Sequence, residues 1–173
     1  MIKNLTLICQ NPTFAKQVAD DLAQRLDMQY FDAFDMLLFD ERPHTLSQTL
    51  QALGKTKVNQ HLSSIIKYSS DFKNTIIVLN GTALDSKKNL QRVAQTSLTI
   101  YLHLPPAQIQ KALQKQQFNS SLEKSYLLPT INKIKQRASF AKSNCNICIN
   151  CTNHSVLGVV SEIIRHLQSY NLN

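Results

Sequence analysis

The chain has 173 residues, 43% of them hydrophobic and 17% charged, with a formal net charge of +8. That length suits one domain, residues 1–173, with a sizeable core, and the composition is that of an ordinary globular protein. No stretch approaches membrane-spanning length, and the apolar run of MIKNLTLICQ is too short for a signal peptide, so a cytoplasmic location with reduced cysteines is expected.

The elements follow in order. Leu5, Leu7 and Ile8 form a short apolar strand ending at Cys9. Asn11 is placed as an N-cap with Pro12 in the first helical turn. Val18, Leu22 and Leu26 then recur at helical spacing. Gln29–Asp32 reads as a short strand ending in a carboxylate. Ala33–Phe39 begins a helix that Glu41, Arg42 and Pro43 interrupt. Leu46, Leu50 and Leu53 mark a helix stopping at Gly54, a natural C-terminal cap. Val58, Leu62, Ile65 and Ile66 mark another, ending near Ser69.

Thr75–Leu79 (TIIVL) is the clearest strand, β-branched and continuous, as expected for burial on both faces. It runs into a turn at Asn80, Gly81 and Thr82. Leu90 and Val93 lie on a short helix, and Leu98–Leu104 forms a strand closed by Pro105 and Pro106. Ile109 and Leu113 mark the next helix, and the polar stretch from Gln114 reads as a mobile loop, part of a lid-like segment over about 114–128. A helix is expected from about Tyr126 to Lys142, then a strand over Cys145–Cys151 and a closing helix carrying Val156, Val159, Val160, Ile163 and Ile164. Five strands separated by helices predict an α/β domain of three layers around a five-stranded parallel sheet.

This order resembles the shikimate kinase family, with its nucleoside-monophosphate-kinase-like P-loop fold. LICQNPTFAKQVADDLA matches, without a gap, the family's opening L-I-G-x-x-G-x-G-K-[ST]-x-x-x-x-x-L-A. Asp32 falls on the first Asp of its D-x-D. TIIVLNGTAL stands where the family carries a strand and G-G-G, TIYLHLP where it carries V-V-Y-L, and RASF (Arg137–Phe140) resembles R-x-P-L-Y. The likeness spans nearly the whole chain through element order and spacing. It implies ATP- and Mg²⁺-dependent phosphorylation of shikimate as the ancestral activity.

The signature residues depart from that pattern. A P-loop needs glycines so that backbone N–H groups wrap the phosphates, a Lys for the β/γ-phosphates and a Ser/Thr for Mg²⁺. The chain has no glycine before Gly54. Cys9, Pro12 and Phe14 stand at the glycine positions, Ala15 at the Lys and Lys16 at the Ser/Thr, leaving Cys9, Gln10, Asn11, Pro12, Thr13, Phe14, Ala15 and Lys16 as a degenerate loop. Lys16 is one helical step from the family position, a turn of ~100°, so a surface lysine is its favoured reading.

Of the family's shikimate contacts, the second Asp of D-x-D is Phe34, the following Arg falls at Asn59, and only Arg137 remains as a carboxylate-binding candidate. Asp32, Gly81 and Arg137 therefore define a residual substrate-like pocket, with Asp32 and Lys16 as weak catalytic candidates. The resulting expectation is a pseudokinase that needs no cofactor and binds a small anion or a protein partner. The alternative is an active ATP- and Mg²⁺-dependent kinase with an atypical phosphate loop.

Two other features compete for attention. Between Lys111 and Lys142 lie seven basic residues against one acid, Glu123. Such a patch can attract phosphates, nucleic acid or acidic surfaces. Without base-reading or zinc-finger motifs, nucleic acid is the third reading and is not expected. Cys145, Cys148 and Cys151 form C-x-x-C-x-x-C, a spacing that suits metal on a loop. On a strand, Cys148 should face away from Cys145 and Cys151, so structural cysteines without metal are expected. Cys9 and His103, both at strand ends, complete the set of chemistry-bearing residues there, and His103 is expected to be structural.

Overall fold

The computed structural model of the protein describes residues 4–40 and 45–171. The interruption expected at Glu41–Pro43 lies outside them. Five strands, β1 (Asn4–Ile8), β2 (Gln29–Asp32), β3 (Thr75–Leu79), β4 (Leu98–His103) and β5 (Ile147–Asn150), form one parallel sheet in the order β2-β3-β1-β4-β5. The predicted α/β architecture is the one observed.

Alternation along the strands assigns side chains to two cores. Leu5, Leu7, Ile76, Val78, Ile100, Leu102, Ile147 and Ile149 pack with α1 (Pro12–Leu26), α5 (Pro106–Gln114) and α8 (Val156–Asn171). Ile8, Ile77, Leu79 and Tyr101 pack on the other face. There they meet α2 (Ala33–Asp40), α3 (Leu46–Ser69), α4 (Lys87–Ala94), α6 (Ser121–Leu127) and α7 (Ile131–Asn144). β1 and β3 are buried throughout because helices cover both of their faces. The chain adds β2 and β3 to one side of β1, then β4 and β5 to the other. That reversal opens a crevice at the carboxyl ends of the central strands, where such sheets bind ligands.

Gly54 does not end its helix in a loop. It takes φ 76° and ψ 160°, and the two helical segments of α3 meet directly at this joint. The expected helix over Tyr126–Lys142 is in fact two, and part of the expected mobile loop is helical. Ser120 caps α6 by accepting the Glu123 amide at 3.1 Å, and the Glu123 carboxylate accepts the Asn119 amide at 3.1 Å. Pro129 then disfavours helical backbone at Leu128, which takes φ −102° and ψ 92°. Thr130 restarts the helix by accepting the Lys133 amide at 3.3 Å.

The cysteine faces also differ from expectation. Cys148 is exposed, while Cys145 packs against the α7 side of the sheet and Cys151 is buried on the α8 side, in the same core as Cys9. Cys145 and Cys151 lie outside the β5 ladder, so its alternation does not govern them. All four are free thiols, and among the described residues no three His, Cys, Asp or Glu side chains gather around a possible metal position. Nor, among those residues, is any helix long and apolar enough to cross a membrane.

Candidate functional site

The connection from β1 to α1 is built for packing. The Cys9 amide donates to the Leu79 carbonyl at 3.1 Å, prolonging the sheet contact by one residue. Gln10 follows with 3% exposure, and its Nε2 donates to the Ile134 carbonyl at 3.0 Å. Its Oε1 is buried, and the Tyr101 hydroxyl, also buried, lies beside the Gln10 side chain. Asn11 caps α1: its side chain accepts the Phe14 amide at 3.2 Å and its carbonyl accepts the Ala15 amide at 3.0 Å. Pro12 has no amide hydrogen to offer. Phe14 packs its ring against the first core and Ala15 is fully buried within it.

Lys16 reaches sideways to α2, where its Nζ lies 2.7 Å from both Asp35 carboxylate oxygens. Asp32 is 6% exposed and caps α2, accepting the Phe34 and Asp35 amides at 2.8 and 3.0 Å. Burial raises its pKa, against the lowering effect of those amide bonds and of Lys16. Burial also raises Tyr30, whose hydroxyl lies 3.4 Å from the Asp32 carboxylate.

Asn80 ends β3 and organises the 3-10 turn Gly81–Asp85, its side chain accepting from the Thr82 amide at 3.1 Å and the Thr82 hydroxyl at 2.6 Å. The turn delivers Asp85 to Arg137 on α7. Arg137 is 6% exposed, and its Nε and Nη2 donate to the two Asp85 oxygens at 2.9 and 2.7 Å. Lys133 Nζ adds a third contact to Asp85 at 2.9 Å. Burial alone would raise the Asp85 pKa, but the hydrogen bonds and charges of Arg137 and Lys133 bring it below the usual carboxylate value. A side chain at Gly81 would place its Cβ 3.0 Å from Arg137 Nη1, so the guanidinium would have to shift by a few tenths of an ångström to admit it.

These elements enclose a cleft of about 250 Å³. Gln10, Pro12, Thr13, Lys16, Gly81 and Arg137 line it together with Asn80, Thr82 and Asp35. Phe34 and Leu38 of α2, Leu113 of α5, and Gln116 and Leu127 of the lid region supply its more apolar wall. Asp32 is not part of this lining; it borders a separate groove with Tyr30, Phe31 and Met36. Cys9, Asn11, Phe14 and Ala15 are also absent from the wall. A second polar cleft of about 610 Å³ lies between α3 and α4, bordered by Lys67, Lys88 and Arg92, and Asp85 reaches it from the far side of the Arg137 pair.

The lid segment is fastened to α3. Tyr126 donates to the Asn59 side chain at 2.7 Å, Ser47 to Ser120 at 2.6 Å and Lys55 to Ser125 at 2.9 Å. His103 stays at the end of β4 with a buried, unpartnered Nδ1 and its ring 5.9 Å from that of Tyr101. Burial, then the charge of Lys142, lowers its pKa.

The family profile described as shikimate kinase matches residues 16–168. The chain belongs to the shikimate kinase family. The match to that family begins at Lys16, after the loop whose glycines are missing. Among solved structures, the chain is similar to a shikimate kinase from Acinetobacter baumannii in complex with shikimate, at a TM-score of 0.83 and 14% identity, covering 100% of this chain and 97% of that one. It is also similar to shikimate kinase from Aquifex aeolicus, at 0.77 and 17%, covering 98% of each. A gluconokinase from Sinorhizobium meliloti shares the fold at 0.63 and 8%, covering 97% of this chain and 93% of that one. No curated protein sequence matches the chain.

Within this shikimate-kinase fold, sequence reading assembled Lys16, Gly81 and Arg137 but missed Asp85 and Asp35. No local pattern marks either acid. Each is identified only by the cation that the fold sets against it.

Proposed function

We propose that this member of the shikimate kinase family does not transfer phosphate and acts by binding a ligand in the cleft at the carboxyl ends of its strands. Phosphoryl transfer rests almost wholly on positioning and charge, so a site that cannot hold the phosphates retains little to work with. The observation that carries the reading is the closed N-terminus of α1. Asn11 takes the Phe14 amide and Pro12 has none, so the first turn lacks the run of free N–H groups that cradles a triphosphate.

The residues therefore do not fit ATP with Mg²⁺. Lys16 and Asp32, on which the active-kinase alternative depends, are occupied as an ion pair with Asp35 and as a helix cap. Calorimetry with ATP and Mg²⁺, with and without shikimate, is the test, run beside a coupled ADP-release assay. The expected result is no binding at millimolar ATP and no ADP. Saturable binding with turnover would overturn the proposal and make Lys16→Ala and Asp32→Asn the next proteins to measure.

A further inference from the structure

We propose that the second cleft, between α3 and α4, binds a small and wholly hydrophilic phosphate monoester of the sugar-phosphate class. What the first cleft takes has no bearing on this site: Arg137 lines the first, while its partner Asp85 lines the second.

Charge sets the second cleft apart. Lys67 of α3 and Lys88 and Arg92 of α4 line it together. Among the described residues none of the three has an ion-pair partner, whereas Lys16, Lys133 and Arg137 all hold carboxylates. Lys88 and Arg92 stand at i and i+4, a spacing at which like charges on a helix repel. Lys87 is turned away, its Nζ lying 5.9 Å from the centre of the Phe140 ring. Asp85 is the one carboxylate in the wall, and Arg137 and Lys133 already hold it from the other side. The cleft therefore carries uncompensated positive charge. A phosphate ester, with close to two negative charges at neutral pH, would neutralise most of it.

The rest of the wall sets the body of the ligand. Leu62 is its only apolar side chain among the described residues and is 1% exposed, so the cleft offers no surface to a base or an alkyl chain. Ser63 and Ser86 line it too, and their hydroxyls make no hydrogen bond among the described residues and are not sealed from solvent. Each can donate to a phosphate oxygen or accept from a ligand hydroxyl. Arg92 is steadied on one side, where its Nη1 donates to the Ser63 carbonyl at 3.4 Å, and its other donors remain free. Cations converging from two helices on one concavity suit a compact anion better than an extended polyanion. The volume of about 610 Å³ lies within the range of small-molecule sites.

The test is calorimetry at neutral pH and low salt with glycerol 3-phosphate and glucose 6-phosphate, beside glucose and inorganic phosphate. At least one ester should bind with a submillimolar Kd, about tenfold or more tighter than inorganic phosphate, and glucose should give no signal. Lys67→Ala and Lys88→Ala, both at exposed positions, should each weaken the ester about tenfold without lowering the melting temperature. Lys16→Ala, in the first cleft, should leave its affinity unchanged. Binding should also weaken as pH falls through ~6, where the ester takes up its second proton.

Neither ester binding at millimolar concentration would overturn the proposal, as would glucose or inorganic phosphate binding as tightly as the ester. Affinity lost with Lys16→Ala but kept in both Lys67→Ala and Lys88→Ala would overturn it as well, since the ligand would then lie in the first cleft. ATP with Mg²⁺ should stay silent here, because its metal covers much of its charge and the wall has no surface for the base. An ATP signal abolished by Lys67→Ala without ADP release would sink this ligand class and leave the absence of phosphoryl transfer standing.

Discussion

Tyr126 donates its hydroxyl to the Asn59 side chain at 2.7 Å, tying the lid helix α6 to α3. The family arginine would fall at Asn59, so a position that contacts ligand elsewhere here anchors the lid. Burial pushes the Tyr126 pKa up to about 12, leaving the hydroxyl a donor across the ordinary pH range. Tyr126→Phe should lose one hydrogen bond and leave the Asn59 acceptor with less than its full complement, about 0.5–1.5 kcal/mol. Hydrogen exchange should report faster opening over residues 115–128 while the sheet amides remain protected. Uniform protection in both regions would show that the apolar contacts of Leu122 and Leu127 hold the lid by themselves.

Asn11→Ala removes the cap of α1 and should cost about 1 kcal/mol. For a chain of this size that corresponds to a fall in melting temperature of about 2–4 °C. The same variant should not acquire ATP affinity, because Pro12 and Phe14 still occupy positions where the family has glycine. Thermal unfolding and the nucleotide titration check the two parts separately.

The Arg137–Asp85 pair has a definite pH signature. Asp85 titrates below its unfolded value, so its stabilisation is fully present above that value, ~4, and fades as pH falls through the lower folded value. Asp32 has the opposite sign: its folded pKa is raised, so its contribution is present below the unfolded value and fades as pH rises through the folded one. Denaturant unfolding of wild type and Asp85→Asn should therefore show a gap at pH 7 that narrows below pH ~4. Wild type against Asp32→Asn should show the reverse trend. Asp85→Ala should be the costliest of these changes, about 3 kcal/mol, because it leaves Arg137 buried without its carboxylate.

The thiols should be distinguishable by alkylation. Cys148 is exposed on β5, whereas burial pushes Cys9 and Cys151 up to about 12. Mass spectrometry of native protein treated with iodoacetamide should find Cys148 modified first and Cys145 later. Cys9 and Cys151 should react only after unfolding. Early labelling of Cys151 would mean that the α8 side of the sheet opens more readily than its packing implies.

The five strands, the α1 cap and the missing glycines were legible from residues alone, since each depends on periodicity or on groups within one turn of each other. The helix expected over Tyr126–Lys142 is two because Pro129 breaks it, and Ser120 and Glu123, which fall in the stretch expected to be a polar loop, cap α6 instead. Cys145 and Cys151 were misplaced because strand alternation was extended beyond the residues that pair.

The sequence by itself determined the order of elements and the parallel sheet, because the periodicity and local backbone chemistry of each segment dictate these. Only the tertiary structure decided that Arg137 grips Asp85, 52 residues away, and that Lys16 is paired with Asp35. Those relations depend on which strand ends become neighbours when β4 crosses to the far side of β1, and no run of adjacent residues carries that information.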